Sequence, residues 1–361
     1  MSLRVLIAGG GTGGHVFPAI ALAEELKRAQ PDSEVLFVGS EGGLEKELVP
    51  QAGFALSLLP VGKLKGSSAI VRLKTLVGLG PGLVRAASIL RRFKPNIVVG
   101  VGGYASGPIV LASAAMWLPI ILLEQNTIPG LTNRVLSRFA RKVITCFPET
   151  AQHLPRGRAL ELGNPLRPRL IERLSDTSRK KGEGKCLLVL GGSQGARALN
   201  DVMLECSEEL FQRVDDLTVL HQTGRSDQQK LAVHYQRFGG RAEAVAFIDD
   251  MADAYHRADL VLSRSGATTI AELGMVGLPA ILVPYPYAAD DHQAHNAAAM
   301  AAAGAAEVVR QEELDARFLI ERVCGIFESS EREEGMKKSM KAFGRPLAGA
   351  RIVDTLGSIV G

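Results

Sequence analysis

Cysteine, aromatic residues and long apolar runs are all scarce in this 361-residue chain, and each scarcity removes a class of protein. The four cysteines are Cys146, Cys186, Cys206 and Cys324. None forms a C-x-x-C pair, which argues against structural zinc, and their scatter gives no disulfide framework. That usage fits a reducing compartment. Aromatics are 5% of the chain and the net charge is only +4, from 42 basic and 38 acidic residues. A nucleic-acid binder needs a basic stripe with stacking aromatics, so no nucleic-acid partner is expected. No apolar run approaches the roughly 18 residues that a membrane span requires. The opening MSLRVLIAGGG reads as a strand entering a glycine loop, without the apolar region or cleavage site of a signal peptide.

What is present is a globular composition, 46% hydrophobic and 22% charged. The length suggests two domains at roughly 100–200 residues each. Short runs of Val, Ile and Leu at 3–8, 35–38, 97–100, 120–123 and 142–145 alternate with amphipathic stretches such as 17–29. This βαβ rhythm predicts a parallel sheet with helices on both faces. A turn-rich stretch, Gly163-Asn164-Pro165-Leu166-Arg167-Pro168, interrupts it, and a polar run follows through Gly184. The rhythm restarts at 186–190 and continues at 217–221, 244–247, 260–262 and 280–283. The fold class is therefore α/β, two Rossmann-like doubly wound halves. We expect them to face each other across a cleft, with a linker near 162–170, a first domain over 1–163 and a second over 164–340. A last helix at about 341–361 is expected to return to the first.

Three glycine clusters follow strands. The first, Gly9-Gly10-Gly11-Thr12-Gly13-Gly14-His15, matches G-x-G-x-x-G and by itself points to a dinucleotide. The acidic residue that should then end the second strand is missing, since that strand runs into Gly39-Ser40 with Glu41 close by. A tight turn that binds nothing is the plain alternative, though His15 at the opening of a helix sits badly with it. The second cluster is Gly100-Val101-Gly102-Gly103-Tyr104-Ala105-Ser106-Gly107 and the third Gly191-Gly192-Ser193-Gln194-Gly195. Three such loops in two halves point to a ligand with several phosphates.

The segment Ser263-Arg264-Ser265-Gly266-Ala267-Thr268-Thr269-Ile270-Ala271-Glu272 places small residues and hydroxyls at a predicted helix start. Free N–H groups and the helix dipole there can hold a diphosphate, and Glu272 can accept from ribose hydroxyls. Thr269-x-x-Glu272 also fits a capping box. Asp290-Asp291-His292-Gln293-Ala294-His295-Asn296 opens another helix, either to bond sugar hydroxyls or as a solvated turn with Asp at its cap. No D-x-D triplet occurs, so no metal or other cofactor is expected on the diphosphate.

These motifs, with Glu124-Gln125-Asn126, Asp249-Asp250-Met251 and Asp291-His292-Gln293, resemble the MurG family of bacterial glycosyltransferases, in the family's order and over nearly the whole chain. The resemblance implies a GT-B fold, UDP-GlcNAc as donor and lipid I (undecaprenyl-pyrophosphoryl-MurNAc-pentapeptide) as acceptor. The product would be β-1,4-linked lipid II for the cell wall, made by inversion at the peripheral cytoplasmic face of the plasma membrane. It assigns the donor to Thr12, Gly13, Gly14, Asn126, Arg167, Ser193, Ile248, Ala267, Thr268, Thr269, Glu272 and Gln293. It assigns the acceptor to Gly102, Gly103, Tyr104 and Ser106. Where the family often has Asp-His-Gln-Thr-x-Asn, this chain has Ala294 and His295 before Asn296, which leaves the contacts around the sugar open.

Inversion needs a base for the acceptor hydroxyl and stabilisation of charge on the departing diphosphate. Arg167 and the helix near Gly266 are expected to supply the second. His15 is the candidate for the first, since an unperturbed imidazole suits proton transfer near neutral pH, with Glu124 as the rival. The stretch 63–94 mixes Ile70, Val71, Leu73, Leu76, Val77 and Leu79 with Lys63, Lys65, Arg72, Lys74, Arg85, Arg91, Arg92 and Lys94. Trp117 can join it. That pattern suits either an anionic membrane surface or a core helix with a solvated basic face. A natural-product glycosyltransferase, a UDP-GlcNAc 2-epimerase, a non-catalytic nucleotide-sugar sensor and an NAD oxidoreductase remain alternatives.

Overall fold

The structure, a computed structural model, describes residues 2–60, 69–176, 184–192 and 195–361, and of 69–79 the backbone alone. The chain divides into two compact units, Met1–Pro168 with Pro346–Gly361, and Arg169–Arg345. The boundary falls at the end of the Asn164–Pro168 turn, where two prolines deny the backbone the N–H groups that regular structure needs.

Among the described residues the first unit is built on seven parallel strands: β1 (Arg4–Ala8), β2 (Glu34–Ser40), β3 (Ala55–Leu59), β4 (Ile97–Gly100), β5 (Ile120–Glu124), β6 (Lys142–Thr145) and β7 (Ala159–Glu161). Their order is β3-β2-β1-β4-β5-β6-β7. The second holds six parallel strands: β8 (Lys185–Leu190), β9 (Leu217–Gln222), β10 (Ala242–Val245), β11 (Leu260–Ser263), β12 (Ala280–Leu282) and β13 (Ala306–Val308), in the order β10-β9-β8-β11-β12-β13. Strand order reverses between β1 and β4 in one sheet and between β8 and β11 in the other. Ligands of open parallel sheets gather beyond the carboxyl ends of such strands. All three glycine clusters and the Ser263–Gly266 turn lie there.

The strands form because both faces are covered. In the first unit Val5, Ile7, Val99 and Ile121 pack under the Gly13–Ala29 helix, while Leu6, Ala8, Val98 and Leu122 pack under Leu90, Ile109 and Val110. Alternate residues of one strand thus feed opposite cores. The C-terminal Ala348–Val360 helix lies against the Gly13–Ala29 helix and buries Ile352, Val353 and Leu356 in the first core. At roughly 1.5–3 kcal/mol per side chain, this is on the order of 5–9 kcal/mol of apolar burial holding the chain's end to the first unit. In the second unit Leu187, Val189, Leu260 and Leu262 pack against helices carrying Leu199, Met203, Leu319 and Val323.

Three strands lie outside the sequence reading: β3, β7 and β13 are short and only half-buried, so no continuous apolar run marks them. The strand expected at 244–247 runs from Ala242 to Val245, and Phe247 leaves the sheet exposed. The helix expected from Phe17 starts four residues earlier, at Gly13. Pro18 therefore sits inside it and has no N–H to return to the Gly14 carbonyl.

Candidate functional site

In the first unit the β1 loop is pinned from two sides. Gly9 donates its N–H to Val38 O (3.0 Å) and Gly10 to Gly102 O (3.2 Å). The second glycine cluster thus lies directly on the first. A Cβ at Gly102 would come 2.9 Å from His15 Nε2, so only glycine lets this loop approach the imidazole. His15 is half-buried in the first helical turn, with Nδ1 3.2 Å from Thr12 Oγ1. The Thr12 carbonyl also accepts the His15 N–H, at 3.2 Å.

Glu124 ends β5 and is 2% exposed. Its Oε1 accepts from Asn126 N (3.0 Å) and Asn126 Nδ2 (3.4 Å), and its Oε2 from Gly130 N (3.1 Å) and Asn133 Nδ2 (2.9 Å). Burial holds the carboxyl's pKa above its ordinary value, and these donors only partly offset it. Four donors meet the roughly four lone-pair sites of a carboxylate. Glu124 therefore shapes the 124–133 loop and presents Asn126. The next residue, Gln125, has a buried amide, and the Ser106 hydroxyl is buried beside Gly100; neither has a partner among the described residues. Tyr104 is exposed. Arg167 pairs with Glu24, Nη2 to Oε1 at 3.2 Å.

In the second unit the β8 loop is braced by Gln222, whose Nε2 donates to Gly192 O at 2.7 Å. Beneath it His221 is buried between Tyr235 Oη (2.9 Å) and Asn200 Oδ1 (3.1 Å), and burial drives its pKa down to about 3. It is a neutral structural imidazole. Ser193 and Gln194 lie outside the described residues.

The Ala267–Val276 helix begins at the end of β11 with Gly266 as its N-cap. No side chain caps it and no acidic residue lies in its first turn. The turn before it is held from below: Ser265 Oγ donates to Gln293 O (2.7 Å) and Asn296 Nδ2 to Ser265 O (3.3 Å). Arg264 donates to the Val283 and Pro284 carbonyls and to Gln311 Oε1 (2.6 Å), and lies over the Tyr285 ring. Thr269 is the third residue of the helix, which overturns the capping-box reading of Thr269 and Glu272. Glu272, at the sixth position, instead accepts the Tyr255 hydroxyl at 2.7 Å. Burial pushes its carboxyl up to about 7 against that bond.

The His292–Ala302 helix also departs from expectation. Asp291 is its N-cap but makes no side-chain capping bond; it pairs with Arg310 at 3.0 Å. Gln293 Oε1 accepts the Tyr285 N–H at 2.9 Å, which leaves the amide's NH2 as its donor group. Ile248 is buried just after β10.

On the first unit's surface Trp117 is 93% exposed, and Val84, Arg85, Arg91, Arg92 and Lys94 are exposed too. The Ala69–Phe93 and Ser106–Ala115 helices that carry or precede them pack together. Lys63 and Lys65 lie outside the described residues, as do the side chains of Ile70, Val71, Arg72, Leu73, Lys74, Leu76, Val77 and Leu79. Among the described residues no helix is long and apolar enough to cross a membrane.

One residue that the sequence reading passed over belongs to this geometry. Glu45, 1% exposed, accepts the Gly11 N–H at 2.7 Å.

The glycosyltransferase family 28 N-terminal domain model matches residues 5–145, and the corresponding C-terminal domain model residues 186–352. A Myxococcus xanthus (strain DK1622) protein is 45% identical, covering 98% of this chain and 92% of its own length. An Anaeromyxobacter dehalogenans (strain 2CP-C) protein is 43% identical over 99% of this chain and 93% of its own length. Both are named UDP-N-acetylglucosamine--N-acetylmuramyl-(pentapeptide) pyrophosphoryl-undecaprenol N-acetylglucosamine transferase. The crystal structure of Acinetobacter baumannii MurG superposes with a TM-score of 0.80 at 27% identity, over 99% of both chains. A UDP-GlcNAc 2-epimerase from Neisseria meningitidis (TM-score 0.68, 14% identity, 99% of this chain and 100% of that one) shares the fold alone.

Proposed function

The chain belongs to the MurG family of glycosyltransferase family 28, and on that footing we propose which of its residues do the work. The protein is a UDP-GlcNAc-dependent N-acetylglucosaminyltransferase that converts lipid I to lipid II. The observation that carries the residue-level reading is the uncapped, acid-free start of the Ala267–Val276 helix, with the Glu272 carboxyl farther along it. The backbone of Ala267, Thr268 and Thr269 takes the donor diphosphate, because helix N-terminal amides and the dipole offset negative charge. Glu272 accepts from the ribose, the Ile248 backbone meets the uracil edge, and Gln293 donates to a sugar hydroxyl. Thr12, Gly13, Gly14, Asn126, Arg167 and Ser193 join the donor set on the family resemblance.

The acceptor goes to Gly102, Gly103, Tyr104 and Ser106, whose cluster rests on the His15 loop. The MurNAc C4 hydroxyl attacks the anomeric carbon as UDP leaves from the opposite face, and His15 takes its proton. Glu124 is the weaker base, since both its oxygens already accept from protein donors. The exposed Trp117 with Arg85, Arg91, Arg92 and Lys94 supports peripheral docking on the anionic cytoplasmic leaflet.

His15→Ala tests this reading in a transfer assay with labelled UDP-GlcNAc and lipid I. We expect kcat to fall by roughly 10²–10⁴-fold, with UDP-GlcNAc affinity retained. A fall below about tenfold with donor binding intact would remove His15 as the base.

A further inference from the structure

Glu45 opens the short Glu45–Gln51 helix, far from either glycine cluster in sequence, yet it is almost fully buried. Its Oε2 accepts the Gly11 N–H at 2.7 Å, and its Oε1 accepts the Ser40 N–H at 2.7 Å and the Ser40 hydroxyl at 2.8 Å. Among the described residues no Lys, Arg or His forms an ion pair with it. Room for the carboxyl is made by three glycines, one from the β1 loop and two flanking the turn after β2: a Cβ on Gly10, Gly39 or Gly43 would overlap the Glu45 side chain. A buried carboxylate held by neutral donors alone, in a pocket walled by glycine, is costly to keep and fixes whatever supplies those donors.

What it fixes is the β1 loop. Gly11 is bonded to Glu45, Gly10 is bonded to Gly102, and Gly102 rests against the imidazole of His15. In a dinucleotide-binding loop of this sequence the amides face a phosphate. Here the Gly11 amide faces an anion belonging to the protein.

We propose that Glu45 is a positioning residue for the transfer reaction. Its carboxylate fills, from inside the fold, the anion place of the first glycine loop and thereby sets where His15 stands. This rests on the assignment of His15 as base. It also gives a physical reason why this G-x-G-x-x-G loop does not select a dinucleotide: its Gly11 amide is already taken.

The test uses full-length protein. Glu45→Gln keeps the volume but turns an NH2 toward the Gly11 or the Ser40 donors. We expect kcat to fall by roughly 10- to 100-fold, as a displaced base would give, with the KM for UDP-GlcNAc changed by less than about threefold. Ser40→Ala, which leaves the Gly11 bond in place, should stay within about twofold of the native kcat. In the native protein the Gly11 amide should exchange slowly with solvent and resonate downfield by NMR, a readout that does not depend on the variant folding. Fast exchange at Gly11, or an unchanged kcat in Glu45→Gln while His15→Ala is inactive, overturns the proposal. A parallel loss of kcat and donor KM in Glu45→Gln overturns it too, as a general collapse. If His15→Ala stays active, the base assignment fails by itself, and Gly11 exchange still decides whether Glu45 holds the loop.

Discussion

The Gly13–Ala29 helix of the first unit and the Ala267–Val276 helix of the second both start from a small-residue turn at the carboxyl end of a central strand, and neither start is capped by a side chain. The amide of the first turn, at Gly11, is taken by the buried Glu45 carboxylate, and an imidazole follows in the helix. The second turn has no internal anion in its first helical residues and has a carboxyl of raised pKa farther along. Similar backbone therefore supports opposite chemistry. On the proposed reading the first turn, with its Gly11 amide held by Glu45, presents a base, whereas the second answers an external diphosphate. Charge already bound at a glycine loop, rather than the loop's spacing, decides which role it takes.

On the proposed reading the base and the exposed basic surface belong to the first unit and the diphosphate-binding helix start to the second, and each side can be broken separately. The larger effect is expected at the membrane. Replacing Arg91 and Arg92 by Ala removes two exposed charges worth about 1 kcal/mol each at an anionic surface, so affinity for phosphatidylserine vesicles at low salt should drop by about 30-fold. UDP-GlcNAc affinity should not move. Equal vesicle binding by native protein and the double variant would sever the first unit from the membrane.

The smaller effect is expected at Glu272. Its folded pKa of about 7 lies above the ordinary 4.5, so in the unliganded protein the group favours folding at low pH. That contribution declines as pH rises above about 4.5 and is gone above about 7. Glu272→Gln, which cannot ionise, should therefore melt about 2–4 °C higher than the native protein at pH 8 and at the same temperature near pH 4.5. Ribose hydroxyls need the ionised form as acceptor, so native donor affinity should weaken as pH falls through 7. Glu272→Gln should bind about tenfold more weakly at pH 8, the cost of one lost charged acceptor, and show no such slope. A variant that keeps the native slope would move ribose recognition elsewhere.

The parallel strands were legible because burial on both faces writes them as Val, Ile and Leu runs, as at Ile97–Gly100 and Ile120–Glu124. The edge strands β3, β7 and β13 lack that signature, since one side of each meets no partner strand. The start of the first helix was obscured because Gly13, Gly14 and Pro18 carry poor helix propensity and tertiary packing overrides it. Thr269 and Glu272 have capping-box spacing, but a helix beginning two residues before Thr269 puts both inside it. Glu45 was missed because an acidic residue opening a helix is usually a solvated partner of the dipole. The signal lay in Gly39 and Gly43 flanking the β2 turn, whose meaning appears only when Gly10 is brought beside them.

Turnover in the presence of a chelator is the most direct test that helix amides, rather than a cation, carry the charge of departing UDP. Purified protein with UDP-GlcNAc and lipid I should keep its kcat when EDTA is added in excess over every divalent ion. Loss of turnover in EDTA, restored by magnesium or manganese, would contradict the account and return the start of the Ala267–Val276 helix to an ordinary turn.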